Sequence, residues 1–167
     1  LLLGCAQLGG RNLFGELGFT LRGARAEVGR GVVALLAFLP VYVVGVMLTQ
    51  LIGSSLGIPV ESHPLVHAIL EQGGTQLVLL VILQAVVLAP ILEELLFRGF
   101  LLSAGARALG RPLGLLLSAL CFALIHAGFA SFLPMLGLGL LFGVLRLSSP
   151  ERSIVGSITA HALFNAL

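Results

Sequence analysis

A chain of 167 residues with 58 % hydrophobic and 10 % charged residues, and a mean hydropathy of +1.14, carries more apolar surface than a water-soluble fold of this size can hide, so lipid is the solvent for much of it. The nine basic side chains are all Arg and the seven acidic ones all Glu, for a net charge of +2. That charge is too small to imply a nucleic-acid partner, and the absence of Lys and Asp excludes a Schiff-base lysine or an aspartyl dyad within this stretch.

In chain order, residues 1–30 mix Gly9-Gly10 and Gly23 with Arg11, Arg22, Arg25 and Arg30. They read as a juxtamembrane segment, either a short amphipathic helix on the membrane surface or a plain cytosolic linker. The first apolar stretch, Gly31–Ile52, is long enough for one crossing at about 20 residues. A polar connector, Gly53–Gly74, carries Glu61, His63, Pro64, His67 and Glu71 but no Arg. The second stretch is helix-like from Thr75 to Leu109 and contains Pro90, Glu93, Glu94 and Arg98. Pro112 opens the third stretch, which ends near Phe129, at a first-turn position. The fourth, Phe132–Leu145, has Pro134 in its first turn and is short for a crossing. After the turn Ser148-Ser149-Pro150-Glu151-Arg152, a fifth stretch begins near Ser153. The chain opens on Leu1 and stops in mid-helix at Leu167, which reads as an excerpt of a longer protein. Cys5 and Cys121 make no metal spacing and read as small hydrophobes.

These segments predict an all-α fold, a polytopic transmembrane helical bundle with about five spans. Its transmembrane domain covers residues 31–167. Four Arg precede the first span, Arg107 and Arg111 lie between spans two and three, and Arg146 and Arg152 lie between four and five. The intervening connectors carry none. This alternation places the N-terminus and the arginine-bearing turns in the cytosol, with the Gly53–Gly74 connector outside. Gly137, Gly139, Gly143 and Gly156 are expected packing sites, because small residues let membrane helices approach closely. Arg-only basic usage with abundant Ala, Leu and Gly suits a GC-rich prokaryotic genome.

An ionisable group inside a membrane helix costs about 2.5–3.5 kcal/mol on insertion scales. Glu93, Glu94, Arg98, His126 and His161 are therefore functional candidates. Glu94 and Arg98 stand four apart on one helical face and predict an ion pair. Glu93 lies about 100° round from Glu94 and is left uncommitted, suited to take a proton from water. Pro90 removes the hydrogen bond to the carbonyl of Val86 and predicts a kink beside Glu93. Phe122 and His126 share a face of the third helix. His161 and Asn165 share a face of the fifth, where together they suit hydrogen bonding to an oxyanion or to a neighbouring helix. With the second span taken as Val78–Leu102, Glu93 lies about 14 Å from the inner end, and His161 about 12–14 Å from Arg152, so the site falls nearer the cytosolic side. His126, about 22 Å beyond Arg111 by the same rise, requires a tilted third helix.

The set Glu93-Glu94…Arg98, Phe122…His126 and His161…Asn165, in that order over about 75–165, resembles the CPBP family of CAAX prenyl endopeptidases, bacteriocin-processing proteins and Abi proteins. The resemblance implies an intramembrane endopeptidase with a catalytic core of about 75–167 that acts on a membrane-associated peptide or protein without a cofactor. Carried over, Glu93 and His126 would activate water, His161 and Asn165 would form the oxyanion site, and Glu94 and Arg98 would support them. An alternative is zinc on Glu93, His126 and His161, a donor set that suits a catalytic zinc, although His-Glu-x-x-His is missing. Gly53-Ser54-Ser55-Leu56-Gly57 fits Gly-x-Ser-x-Gly but lacks the strand-to-helix turn that motif needs. A non-catalytic membrane scaffold or immunity protein, and a transporter with mid-membrane carboxylates, are the readings from other classes.

Overall fold

The computed structural model describes residues 13–58, 74–126 and 129–167. The described residues contain helices and no strand. They are α1 (Leu13–Glu16), α2 (Ala24–Leu56), α3 (Thr75–Leu109), α4 (Arg111–Ile125), α5 (Phe129–Ser148) and α6 (Val155–Ala166). Cys5, Glu61, His63, Pro64, His67 and Glu71 lie outside the described residues, as does most of the Gly53–Gly74 connector.

Three helices are long and apolar enough to cross a membrane: Ala24–Leu56, Thr75–Leu109 and Ser131–Ser148. α4 and α6, with 15 and 12 residues, fall short of the roughly 20 that a crossing needs. The long helices turn their apolar side chains outward. Leu36, Met47, Leu51, Leu79, Leu80 and Leu92 are all about 60 % exposed, as expected where lipid replaces water outside the bundle.

Several boundaries differ from the sequence reading. The first helix begins seven residues before Gly31, because Gly23, at φ 64°, marks the start and nothing interrupts the chain after it. It also absorbs the start of the connector. Ser54 and Ser55 bond back to the carbonyl of Leu51, so Gly53–Gly57 is a helix end and not a nucleophile elbow. Pro134 lies inside α5 rather than in its first turn. The segment before α2 packs onto the bundle: the N–H of Ile154 donates to the carbonyl of Gly18 at 2.9 Å.

Burying Leu against Leu gains little when the alternative is lipid, so close backbone approach and polar contacts hold the helices. A Cβ on Gly139 of α5 would lie 3.0 Å from the Cα of Ala119 in α4. The core gathers Leu35, Phe97, Phe122, Leu138, Phe142, Leu145 and Ala160 from five helices. At the arginine-bearing end, buried Glu27 accepts from Arg30 at 2.9 Å and from Ser149 at 2.9 Å. This ties the first turn of α2 to the α5–α6 turn.

Candidate active site

α3 is not a uniform α-helix. Two π-helical stretches, Gln84–Leu88 and Leu95–Leu101, flank the α-helical turn Ala89–Glu94. Each has a wider turn than an α-helix, and such stretches are frequent at functional sites. The first changes the expected consequence of Pro90. In it the N–H of Ala89 reaches back five residues to the carbonyl of Gln84. In that register the donor missing at Pro90 leaves the carbonyl of Ala85 open. The side-chain amide of Asn165 in α6 fills it, donating from Nδ2 to the Ala85 oxygen at 2.8 Å.

Glu94 and Arg98 are fully buried and pair at 2.8 Å. The guanidinium also donates to the carbonyl of Gly139 at 3.0 Å. It stands 4.5 Å from the centre of the Phe122 ring and 5.2 Å from that of Phe142. Those contacts take the place of water for a charge in an apolar bundle. The same Glu94 Oε1 accepts from His161 Nδ1 at 3.2 Å, and the His161 ring stacks on Phe142 with centroids 4.9 Å apart.

Glu93 points elsewhere. Its Oε2 lies 3.6 Å from Nε2 of His126 and 3.7 Å from Nε2 of His161. Three helices thus deliver their polar groups to one point. His126 and Glu93 are 30 % and 25 % exposed at the side chain, while His161 is 4 % exposed. The two imidazoles are fixed from behind. His126 Nδ1 bonds the carbonyl of Phe122 at 2.8 Å; a carbonyl only accepts, so this nitrogen carries the hydrogen. Glu94 Oε1 already accepts from Arg98, which assigns the hydrogen of His161 to Nδ1 by the same reasoning. In the neutral tautomers both Nε2 lone pairs therefore face a carboxylate oxygen. Three acceptors meet at separations too long for direct hydrogen bonds, and Glu93 Oε2 is buried without a hydrogen-bond partner. A water molecule has two O–H donors and can bond two of the three, Glu93 Oε2 and one Nε2.

The level of the three groups follows from where α3 ends. It runs to Leu109, as read from the sequence, so Glu93 lies 16 residues before the helix end and His126 15 residues after Arg111. The α3–α4 hairpin brings them level, 3.6 Å apart at Glu93 Oε2 and His126 Nε2. Both groups lie about 22–24 Å from the arginine end at 1.5 Å per residue.

Phe142, the carbonyl of Gly139 and the carbonyl of Ala85 are parts of the site that carry no polar signature in the sequence. The donor types of Glu93, His126 and His161 would suit zinc, yet among the described residues no group of three or more His, Cys, Asp or Glu side chains is arranged to hold a metal ion.

A family model described as type II CAAX prenyl endopeptidase Rce1-like matches residues 75–167, more than half of the chain and the whole of α3 to α6. No curated protein and no solved structure matches the chain.

Proposed function

The chain belongs to the Rce1-like family of type II CAAX prenyl endopeptidases, and we propose that it hydrolyses a peptide bond of a membrane-associated substrate with a water activated by Glu93 and His126. The observation that carries this reading is the position of Glu93 Oε2 between two Nε2 atoms whose rings are already anchored. A water held there donates one hydrogen to Glu93 and the other to His126. As its oxygen attacks the carbonyl carbon of the scissile bond, its proton passes to Glu93. Glu93 then delivers that proton to the departing nitrogen as the C–N bond breaks, which restores the carboxylate.

His161 and Asn165 are the proposed oxyanion donors. To donate from Nε2, His161 must carry a second proton, and the Glu94 carboxylate against Nδ1 is the partner for that charged ring. Asn165 Nδ2 has two N–H groups. One holds Ala85, and the other is assigned to the oxyanion. Glu94 and Arg98 act as positioning residues through His161.

Turnover of a membrane-tethered fluorogenic peptide by the purified protein tests the reading. Glu93→Gln should lower kcat by at least about 10²-fold, the lower range for a general base, with the thermal midpoint unchanged. Activity of the unmodified protein should survive exhaustive chelation. Wild-type turnover by Glu93→Gln would overturn the mechanism. Loss on chelation with recovery on adding Zn²⁺, alongside one zinc per chain, would replace it with the zinc reading.

A further inference from the structure

Away from Glu93, a cavity of about 840 Å³ opens at the other end of α3 and α4. Its lining includes Arg107, Arg111, Arg146 and Arg152, and one acidic side chain, Glu16. Four positive charges less one negative leave a formal +3 around one concavity. The positive-inside pattern explains why arginines occur at this end of the bundle. It does not require that four of them share one cavity.

Two of the guanidiniums are held in place by backbone. Arg111 Nη2 donates to the carbonyl of Leu147 at 2.9 Å, and Arg146 Nη1 donates to the carbonyl of Arg152. Arg146 is only 9 % exposed, and its Nε is buried without a hydrogen-bond partner. Among the described residues none of the four forms an ion pair with a carboxylate. A buried, positioned and unneutralised guanidinium is costly unless an anion completes it.

We propose that this cavity is a binding site for a phosphate group, separate from the peptidase centre. Guanidinium forks match phosphate oxygens in pairs, and fixed forks lose little freedom on binding. The volume lies within the range of small-molecule sites. The cavity also sits at the end of the bundle that the arginines place among anionic headgroups, where basic pockets between helices bind lipid phosphates. The ligand chemistry is thus a phosphate ester or free phosphate, and the site does not depend on the peptidase reading.

The full chain in neutral detergent provides the test. Its thermal midpoint is followed against dihexanoyl phosphatidic acid, inorganic phosphate and dihexanoylglycerol, which keeps the tails but lacks the phosphate, at constant ionic strength. Saturable stabilisation by phosphatidic acid and none by dihexanoylglycerol is expected. Saturation by inorganic phosphate as well would identify a free-phosphate site, and saturation by the lipid alone a headgroup site. Arg107→Gln removes an exposed side chain and should raise the half-saturating concentration of phosphatidic acid at least about tenfold, as loss of one charged contact does. Absence of saturation with both phosphate probes would overturn the proposal, whatever the variant does. Equal affinity for phosphatidic acid in Arg107→Gln would exclude this cavity as the place of binding.

Discussion

Glu93 and Glu94 are adjacent, yet Glu94 is fully buried and its Oε1 accepts from both Arg98 and His161, whereas Glu93 is 25 % exposed and its Oε2 faces two imidazoles beyond hydrogen-bond distance. Their replacements should separate accordingly. Glu94→Gln leaves the Arg98 charge buried without its counter-ion, a change worth about 3–5 kcal/mol for a broken buried pair. A clear fall in thermal midpoint and in recoverable folded protein is expected for this variant, in contrast to Glu93→Gln. Equal midpoints for the two variants in the same detergent would show that the Glu94–Arg98 pair does not hold the bundle together. The pair itself was legible from the i, i+4 spacing. The guanidinium's other neighbours were not, because the Gly139 carbonyl and the Phe142 ring look like ordinary helix backbone and core until the helices pack.

At the scale of the element, α3 shows what spacing rules miss. The apolar run from Thr75 to Leu109 was readable as one helix, since nothing in it but Pro90 interrupts the pattern. The two π-helical stretches were not readable, because a change of hydrogen-bond register leaves no mark in residue type. Their effect is testable through Pro90 and Asn165. If Asn165 replaces the donor that Pro90 lacks, Asn165→Ala should destabilise the protein by about 0.6–1.7 kcal/mol, the range for polar contacts between membrane helices. Pro90→Ala restores a backbone N–H and should make Asn165→Ala nearly silent. A double-mutant cycle reads the difference as a coupling energy. Equal costs of Asn165→Ala in both backgrounds would dissociate the two residues. The bond from Asn165 to the Ala85 carbonyl is the hydrogen bond to a neighbouring helix that its shared face with His161 allowed; its partner was not readable.

For the whole molecule, Arg30, Arg107, Arg111, Arg146 and Arg152, which the sequence distributes over three connectors, collect at one physical end, where Arg30 donates to Ser148 at 2.6 Å and the other four line one cavity. The opposite end carries the exposed Ser55. With Cys5 and Cys121 replaced, a cysteine at Ser55 should label only from outside the cell and one at Pro150 only from the cytosol. The reverse pattern would invert the orientation. The all-helical bundle was legible because hydropathy and length act locally, whereas the convergence on Glu93 depends on three helices fixed by contacts far apart in sequence. That separation has a consequence for biosynthesis. Arg98 neutralises Glu94 as soon as one turn of helix forms, so this pair can leave the insertion machinery already matched. Glu93 must wait for partners 33 and 68 residues later, His126 and His161. At roughly 5–20 residues per second, the second of these arrives about 3–14 s after Glu93 is made. During that interval Glu93 is a carboxyl group inside an unfinished bundle, so the nascent chain passes through a stage in which its proposed catalytic base is its least accommodated side chain.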